Sequence, residues 1–317
     1  MMAKSKVKNF RGSYTVMFTP FTEDGSAINT KMLRRFIDWQ IDEGSHGLIA
    51  LGSVGQFLSI SDDERTQVIE TYVDQVKGRV PVLIGTMNTH TPTAVRYSKE
   101  AERLGADGVM VTPPYYYWPT EEEMFEYYKR ISEAISIPIM LYNNPLVTHI
   151  DMSAKFVAHL AKELPNIRYI KEASGEGTRV YDIVRESEGQ ITCFSGGRPY
   201  ECFIMGAPGY VSPPGNHSPR QSALMMDAMA AGDLATGKLI SDKYAAMGRV
   251  VKPGHPTYGH GTYGRNLTKV AGFDLGEVRP PLTPLSKLGA DGQERMARLT
   301  AMWKDIRQIG AKRAAAE

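Results

Sequence analysis

The segment Ile167-Arg-Tyr-Ile-Lys-Glu-Ala-Ser-Gly175 reads as a β-strand that closes on an amine, Lys171. A strand-end lysine is ordinarily a solvated surface group. It becomes a reagent when phenols and hydroxyls gather around it, and other strand-like runs of this chain end in such groups. They are Gly52-Ser53-Val54-Gly55-Gln56, the aromatic run Tyr115-Tyr116-Tyr117-Trp118, Leu141-Tyr142-Asn143-Asn144-Pro145, Ser195-Gly196-Gly197-Arg198 and Val211-Ser212-Pro213. A neutral lysine attacks the carbonyl of a 2-oxo acid and forms an imine. The protonated imine withdraws electrons, so a C–C bond at the adjacent carbon breaks or forms. Lysine ordinarily titrates near 10.4, and apolar surroundings favour the neutral form by desolvating the ammonium. A phenol such as Tyr142 would move protons among amine, carbinolamine and leaving oxygen. Ser53 and a second tyrosine would link that phenol to solvent.

These groups converge only if the strands that carry them share one rim. Strand-like runs fall at Tyr14–Phe18, Gly47–Ala50, Pro81–Ile84, Gly108–Val111, Pro138–Tyr142, Ile167–Lys171, Ile191–Ser195 and Gly209–Val211. Helical patterns lie between them, among others Lys31–Glu43, Asp62–Val76, Thr91–Leu104, Glu121–Ile135 and Met152–Leu164. Asn29, Ser61 and Asp151 are N-cap candidates for the first, second and fifth of these. The strands are apolar throughout rather than alternating, as when both faces are covered. Eight such alternations predict an α/β fold, a (β/α)₈ TIM barrel, with the chemistry at the C-terminal ends of its strands. A doubly wound open sheet would favour a Gly-x-Gly-x-x-Gly turn after the first strand, and Phe18-Thr-Pro-Phe-Thr-Glu-Asp-Gly25 does not supply one. Residues 1–217 read as the barrel. Residues 218–317 read as its closing helix and a C-terminal helical extension of the same domain, with helices near 221–231, 234–247 and 293–309. The Gly-, Pro- and Tyr-rich stretch VKPGHPTYGHGTYG reads as a loop between them.

The bulk numbers narrow the function classes. The chain has 317 residues, 42% hydrophobic and 23% charged, with a net charge of +2. That is a soluble globular composition, with no electrostatic case for nucleic acid or an anionic membrane. Two cysteines, Cys193 and Cys202, form no framework and suit reduced thiols in a cytoplasmic setting. The basic start MMAKSKVKNFRG lacks a following apolar region, so no secretory signal is expected, and no apolar run approaches a bilayer span of ~20 residues.

Three motifs resemble the N-acetylneuraminate lyase / dihydrodipicolinate synthase family of Schiff-base-forming barrel enzymes. Ile170-Lys171-Glu172-Ala173-Ser174-Gly175 resembles its imine-lysine segment, and Tyr142-Asn143-Asn144-Pro145 the segment holding its catalytic tyrosine. Gly52-Ser53-Val54-Gly55-Gln56 resembles its carboxylate-binding turn. The similarity runs from about Gly12 to the Pro280–Leu285 segment. It implies Lys171 as the imine lysine, Tyr142 as the proton shuttle, Ser53 as a relay hydroxyl and Tyr116 as a tyrosine exchanged across a tight dimer. It also implies a homotetramer built from two such dimers, with no cofactor beyond the covalent imine. Gly52, Val54, Gly196, Arg198 and Val211 are the candidate substrate contacts.

Several positions depart from that pattern. The synthase branch carries an arginine two residues after the proline of the tyrosine motif, where this chain has Val147; that disfavours dihydrodipicolinate synthesis, which stays as the alternative. Val54 and Gln56 replace a hydroxyl residue and a glutamate of the turn. Gly197-Arg198 stands where sugar-acid lyases carry acidic residues, so sialic acid cleavage is not expected, and Arg198 is a candidate for an anionic or carbonyl-bearing distal part of the substrate. His255 and His260 lack acidic or cysteine co-ligands, so no metal is expected. His149, His217 and Asn216 read as structural or surface residues near the rim. The expected function is a lyase acting on pyruvate or a 2-oxo acid, by aldol cleavage or condensation, or by dehydration of a 2-oxo-3-deoxy acid. A non-catalytic ligand-binding barrel is the alternative of another class, and retention of both Lys171 and Tyr142 argues against it.

Overall fold

The computed structural model describes residues 9–251 and 258–310. Eight strands close into a parallel barrel in sequential order: β1 (Gly12–Val16), β2 (Gly47–Ala50), β3 (Val82–Gly85), β4 (Gly108–Val111), β5 (Ile139–Asn143), β6 (Ile167–Glu172), β7 (Thr192–Ser195) and β8 (Gly209–Ser212), with β8 pairing back onto β1. The outer ring comprises α1 (Thr30–Asp42), α2 (Asp62–Val76), α3 (Thr91–Leu104), α4 (Glu121–Ala134), the short α5 (Pro145–Thr148), α6 (Ala154–Glu163), α7 (Thr178–Glu186), α8 (Pro199–Ile204) and α9 (Pro219–Ala230). Then follow α10 (Leu234–Val250), α11 (Tyr258–Val270) and α12 (Ala290–Ile306). No helix among the described residues is long and apolar enough to cross a membrane.

The barrel interior closes by matching large side chains with glycines. Tyr14 pairs in register with Gly47, and a Cβ on that glycine would lie 2.2 Å from the tyrosine ring. Phe194 pairs with Gly209 in the same way, at 2.4 Å. Two strands therefore start with glycine because an aromatic ring from the neighbouring strand fills the space. Ile49, Leu83, Met110, Met140, Tyr169 and Val211 belong to the same inner cluster. A second, larger apolar layer lies between strands and helices, where Leu33, Phe36 and Ile37 of α1 are fully buried.

Local capping chemistry behaves largely as the sequence predicts. Asn29 accepts from the Met32 N–H, and Ser61 forms a reciprocal capping box with Glu64 at the start of α2. Asp151 does not cap its helix. Ser153 does so instead, accepting from the Phe156 N–H, while Asp151 binds Arg179 and Asn143. The aspartate is drawn off because a guanidinium two elements away offers it two hydrogen bonds. The stretch read as a loop over 251–264 is helical from Tyr258 onward, where Tyr263 and Leu267 pack into a second core with α9, α10 and α12. Packing of that apolar face overrides the weak helix propensity of its glycines. His255 lies outside the described residues.

Candidate active site

Strands β5 and β6 place the two central side chains side by side. Tyr142 and Lys171 are register partners, both pointing into the mouth of the barrel and both 5% exposed. The Lys171 amine lies over the face of the Tyr142 ring, 3.8 Å from its centroid. Among the described residues no carboxylate pairs with this amine. Phe194 is the register partner of Lys171 on β7, so aromatic residues occupy the neighbouring position on both adjacent strands. The Tyr142 hydroxyl oxygen accepts a hydrogen bond of 2.9 Å from the side-chain amide of Asn144. No hydrogen bond joins Tyr142 to Ser53 or Tyr116, so the relay expected from those two residues is not formed within this chain.

Alternation along the strands sends the next residues outward, where they build the support. Asn143 is fully buried and donates to Glu172 and to Asp151, each at 2.9 Å, while its carbonyl accepts from the Met152 N–H. Glu172, also buried, accepts in addition from the Ser174 N–H at 2.6 Å. Arg179 of α7 grips Asp151 with two hydrogen bonds of 2.9 and 2.8 Å. This chain of polar groups ties the ends of β5 and β6 together directly behind Tyr142 and Lys171. Asn143 and Glu172 were not singled out in the sequence, and Asp151 only as a helix cap. The only signal was polar residues adjoining two chemically suggestive ones on otherwise apolar strands.

The turn after β2 is held rigid. Leu51 and Gln56 bracket it, both in left-handed backbone conformations (φ 56° for each) that are strained for residues other than glycine. The Leu51 carbonyl presses on Gly85, where a Cβ would come within 2.2 Å, and Gly52 abuts Val16, where the same gap is 2.5 Å. Gln56 is buried and exchanges two hydrogen bonds with the backbone of Arg279, so its side chain clamps the turn. Ser53 and Val54 lie between these anchors, half-buried, and the Ser53 hydroxyl makes no hydrogen bond among the described residues.

The remaining candidates spread around the rim. Gly196 donates its N–H to the Glu172 carbonyl and leaves 2.4 Å between a Cβ and Ala173. Arg198 is exposed at the start of α8, with no hydrogen-bond or ion-pair partner for its side chain among the described residues. Val211 is buried in the inner cluster. Tyr116 is 85% exposed with φ 80°, its ring edge-on to Tyr117. Trp118, Leu58, Leu146 and Val147 are exposed on the same end, forming an apolar crown outside the mouth. Tyr115 faces inward against Phe57, and burial pushes its phenol up. His149 stacks on Trp118, His217 is buried against Ser218, and Asn216 ties the ends of β1 and β8 by bonding Phe18 and Val16. No group of metal-ligating side chains forms among the described residues. Both cysteines are buried and free, and burial pushes the Cys193 thiol up.

Comparison with known proteins agrees with this geometry. The family model of the dihydrodipicolinate synthetase family matches residues 9–300. A 4-hydroxy-tetrahydrodipicolinate synthase of Nitrobacter hamburgensis is 38% identical over 284 residues, spanning 87% of this chain and 94% of that protein. Among solved structures, a putative dihydrodipicolinate synthetase from Pseudomonas aeruginosa superposes with a TM-score of 0.87 at 29% identity, covering 94% of this chain and 100% of that one. A prophage protein of the dihydrodipicolinic acid synthase family from E. coli K12, solved in complex with pyruvate, superposes with a TM-score of 0.85 at 27% identity, covering 94% and 99%. The match spans the barrel, both central strands and the lysine and tyrosine they carry: the chain belongs to the dihydrodipicolinate synthetase family.

Proposed function

We propose that this chain is a class I lyase whose Lys171 forms an imine with pyruvate or a pyruvate-like 2-oxo acid. From that imine it makes or breaks the adjoining C–C bond, or eliminates water from a 2-oxo-3-deoxy acid. The observation that carries the reading is a buried amine with no carboxylate partner among the described residues, lying 3.8 Å from the centroid of a phenol ring at a barrel mouth. An incoming carbonyl meets that amine beside a proton-bearing oxygen. The rigid turn at Gly52–Gln56 offers backbone N–H groups to the substrate carboxylate, and the closed geometry of the turn supports this without a second hydroxyl. The imine is its own electron sink, so the reaction needs no cofactor or metal. Arg198, with no side-chain partner among the described residues, is a cation available to a distal anionic group.

A second reading, 4-hydroxy-tetrahydrodipicolinate synthesis, draws on the name of the Nitrobacter relative. It conflicts with Val147, an apolar and exposed side chain where the synthase branch places an arginine for the aldehyde's carboxylate. The apolar crown around Tyr116 and Trp118 supports a tight dimer, two of which would make the tetramer. Such a dimer would bring a neighbour's Tyr116 toward Ser53. The free buried thiols suit a cytoplasmic protein.

The experiment is borohydride reduction of the protein with pyruvate, followed by intact-mass analysis. Wild-type protein should gain the mass of one reduced pyruvate adduct per chain, and Lys171→Ala should gain none. No adduct in the wild type overturns the reading.

A further inference from the structure

The hydrogen bond from Asn144 to Tyr142 has a direction with consequences for the reaction. The side-chain Nδ2 of Asn144 donates to the phenol oxygen at 2.9 Å. An amide nitrogen only donates, so the phenol's own proton is not used in this bond. No acceptor among the described residues takes that proton, which leaves it available to a group bound at Lys171 in the barrel mouth. Asn144 is itself held in place. Its backbone carbonyl accepts from the N–H groups of Val147 and Thr148 and from the Thr148 hydroxyl, which fixes it at the first turn of α5.

We infer that Asn144 is a positioning residue that orients the Tyr142 hydroxyl for proton transfer and supports the phenolate left behind. This rests on the imine reading. The step is loss of water from the carbinolamine on Lys171. Tyr142 gives its proton to the carbinolamine hydroxyl, and the C–O bond breaks with its electron pair leaving as water. The nitrogen lone pair forms the C=N bond. An iminium cation and a tyrosinate remain, and the Asn144 N–H faces the tyrosinate oxygen, where a donor is worth most. Lys171 lies against this phenol ring, and Asn144 contributes no charge, only a directed donor.

The test uses Asn144→Leu, which keeps the branched shape and removes the donor, alone and combined with Tyr142→Phe. Two readouts separate this inference from the imine reading. The first needs no substrate: the tyrosinate absorbance at alkaline pH that is specific to Tyr142, taken as wild type minus Tyr142→Phe. In the Asn144→Leu background the corresponding difference should appear about one to two pH units higher. The second is the rate of borohydride-trappable adduct formation with pyruvate. It should fall about 10- to 100-fold in Asn144→Leu, with its alkaline limb displaced the same way, and adding Asn144→Leu to Tyr142→Phe should cause little further loss. An unmoved tyrosinate signal overturns the inference. So does equal slowing by Asn144→Leu in the presence and absence of the Tyr142 hydroxyl, because Asn144 would then act independently of that group. Absence of any adduct in the wild type, with the tyrosinate signal displaced as expected, removes the imine reading while leaving the Asn144–Tyr142 coupling established.

Discussion

Asn143→Leu is the sharpest probe of how the reactive strand ends are held. The asparagine side chain is fully buried and makes three hydrogen bonds, two of them to the carboxylates of Glu172 and Asp151. A bond to a charged partner contributes about 1.5–3 kcal/mol and a neutral one about 1 kcal/mol, so simple addition gives roughly 4–7 kcal/mol. Asp151 is partly open to solvent and keeps Arg179, so water recovers part of its share. Among the described residues, Glu172 retains only the Ser174 N–H, and it stays buried. The expected loss is therefore about 3–5 kcal/mol, the range for breaking one partner out of a buried charged network. Urea unfolding followed by tryptophan fluorescence at fixed protein concentration reads this directly. With a slope of about 3 kcal/mol/M the midpoint falls by roughly 1–1.7 M. Asn143→Asp keeps the shape but sets a third carboxylate against two others. It should lose more than leucine at pH 8, and the gap between the variants should close as the pH falls and a shared proton restores a donor. A midpoint shift below about 0.3 M for Asn143→Leu would refute the argument that this network holds the strand ends.

Two further changes probe the clamp on the turn and the reading of the rim. The Arg279 guanidinium, bonded to Glu64 at 2.8 and 2.6 Å, holds that carboxyl below its ordinary value of 4.5. A depressed carboxylate stabilises the fold above its unfolded pKa, and the contribution disappears as the pH falls through the folded one. Arg279→Leu, which also loses bonds to the Gly25 and Ser59 carbonyls, should cost about 2–3 kcal/mol near pH 7. The Tm difference from wild type should shrink between pH 5 and pH 3, and a constant difference would contradict the linkage. Arg198→Ala should raise KM about tenfold for substrates with a distal carboxylate while leaving pyruvate adduct formation unchanged, since an exposed charge contributes of order 1 kcal/mol. Unaltered KM across dicarboxylic candidates would exclude Arg198 from substrate binding.

Much of the fold was legible because its signals are local. Apolar runs of four to six residues, the Ser61–Glu64 capping box and the regular β/α alternation depend on neighbours within a few positions, and they led to eight strands in the right order. The same alternation marked Tyr142 and Lys171, because a barrel exposes what lies at the C-terminal ends of its strands. Other features required the chain to close on itself. The pairing of Tyr142 with Lys171 is set by register between strands 29 residues apart, and the glycines facing Tyr14 and Phe194 make sense only once their partners are known. Asp151 looked like a helix cap until Arg179 and Asn143, from separate elements, offered it stronger bonds. Residues 258–264 read as a loop because glycine and tyrosine are weak helix formers, and a shared apolar core folds them into α11. The types of reactive group and their order were written in the sequence, because they depend on what each strand end carries. Their mutual direction, including the amide that faces the Tyr142 oxygen, was decided by tertiary structure, because rotamers and long-range pairing have no local signature.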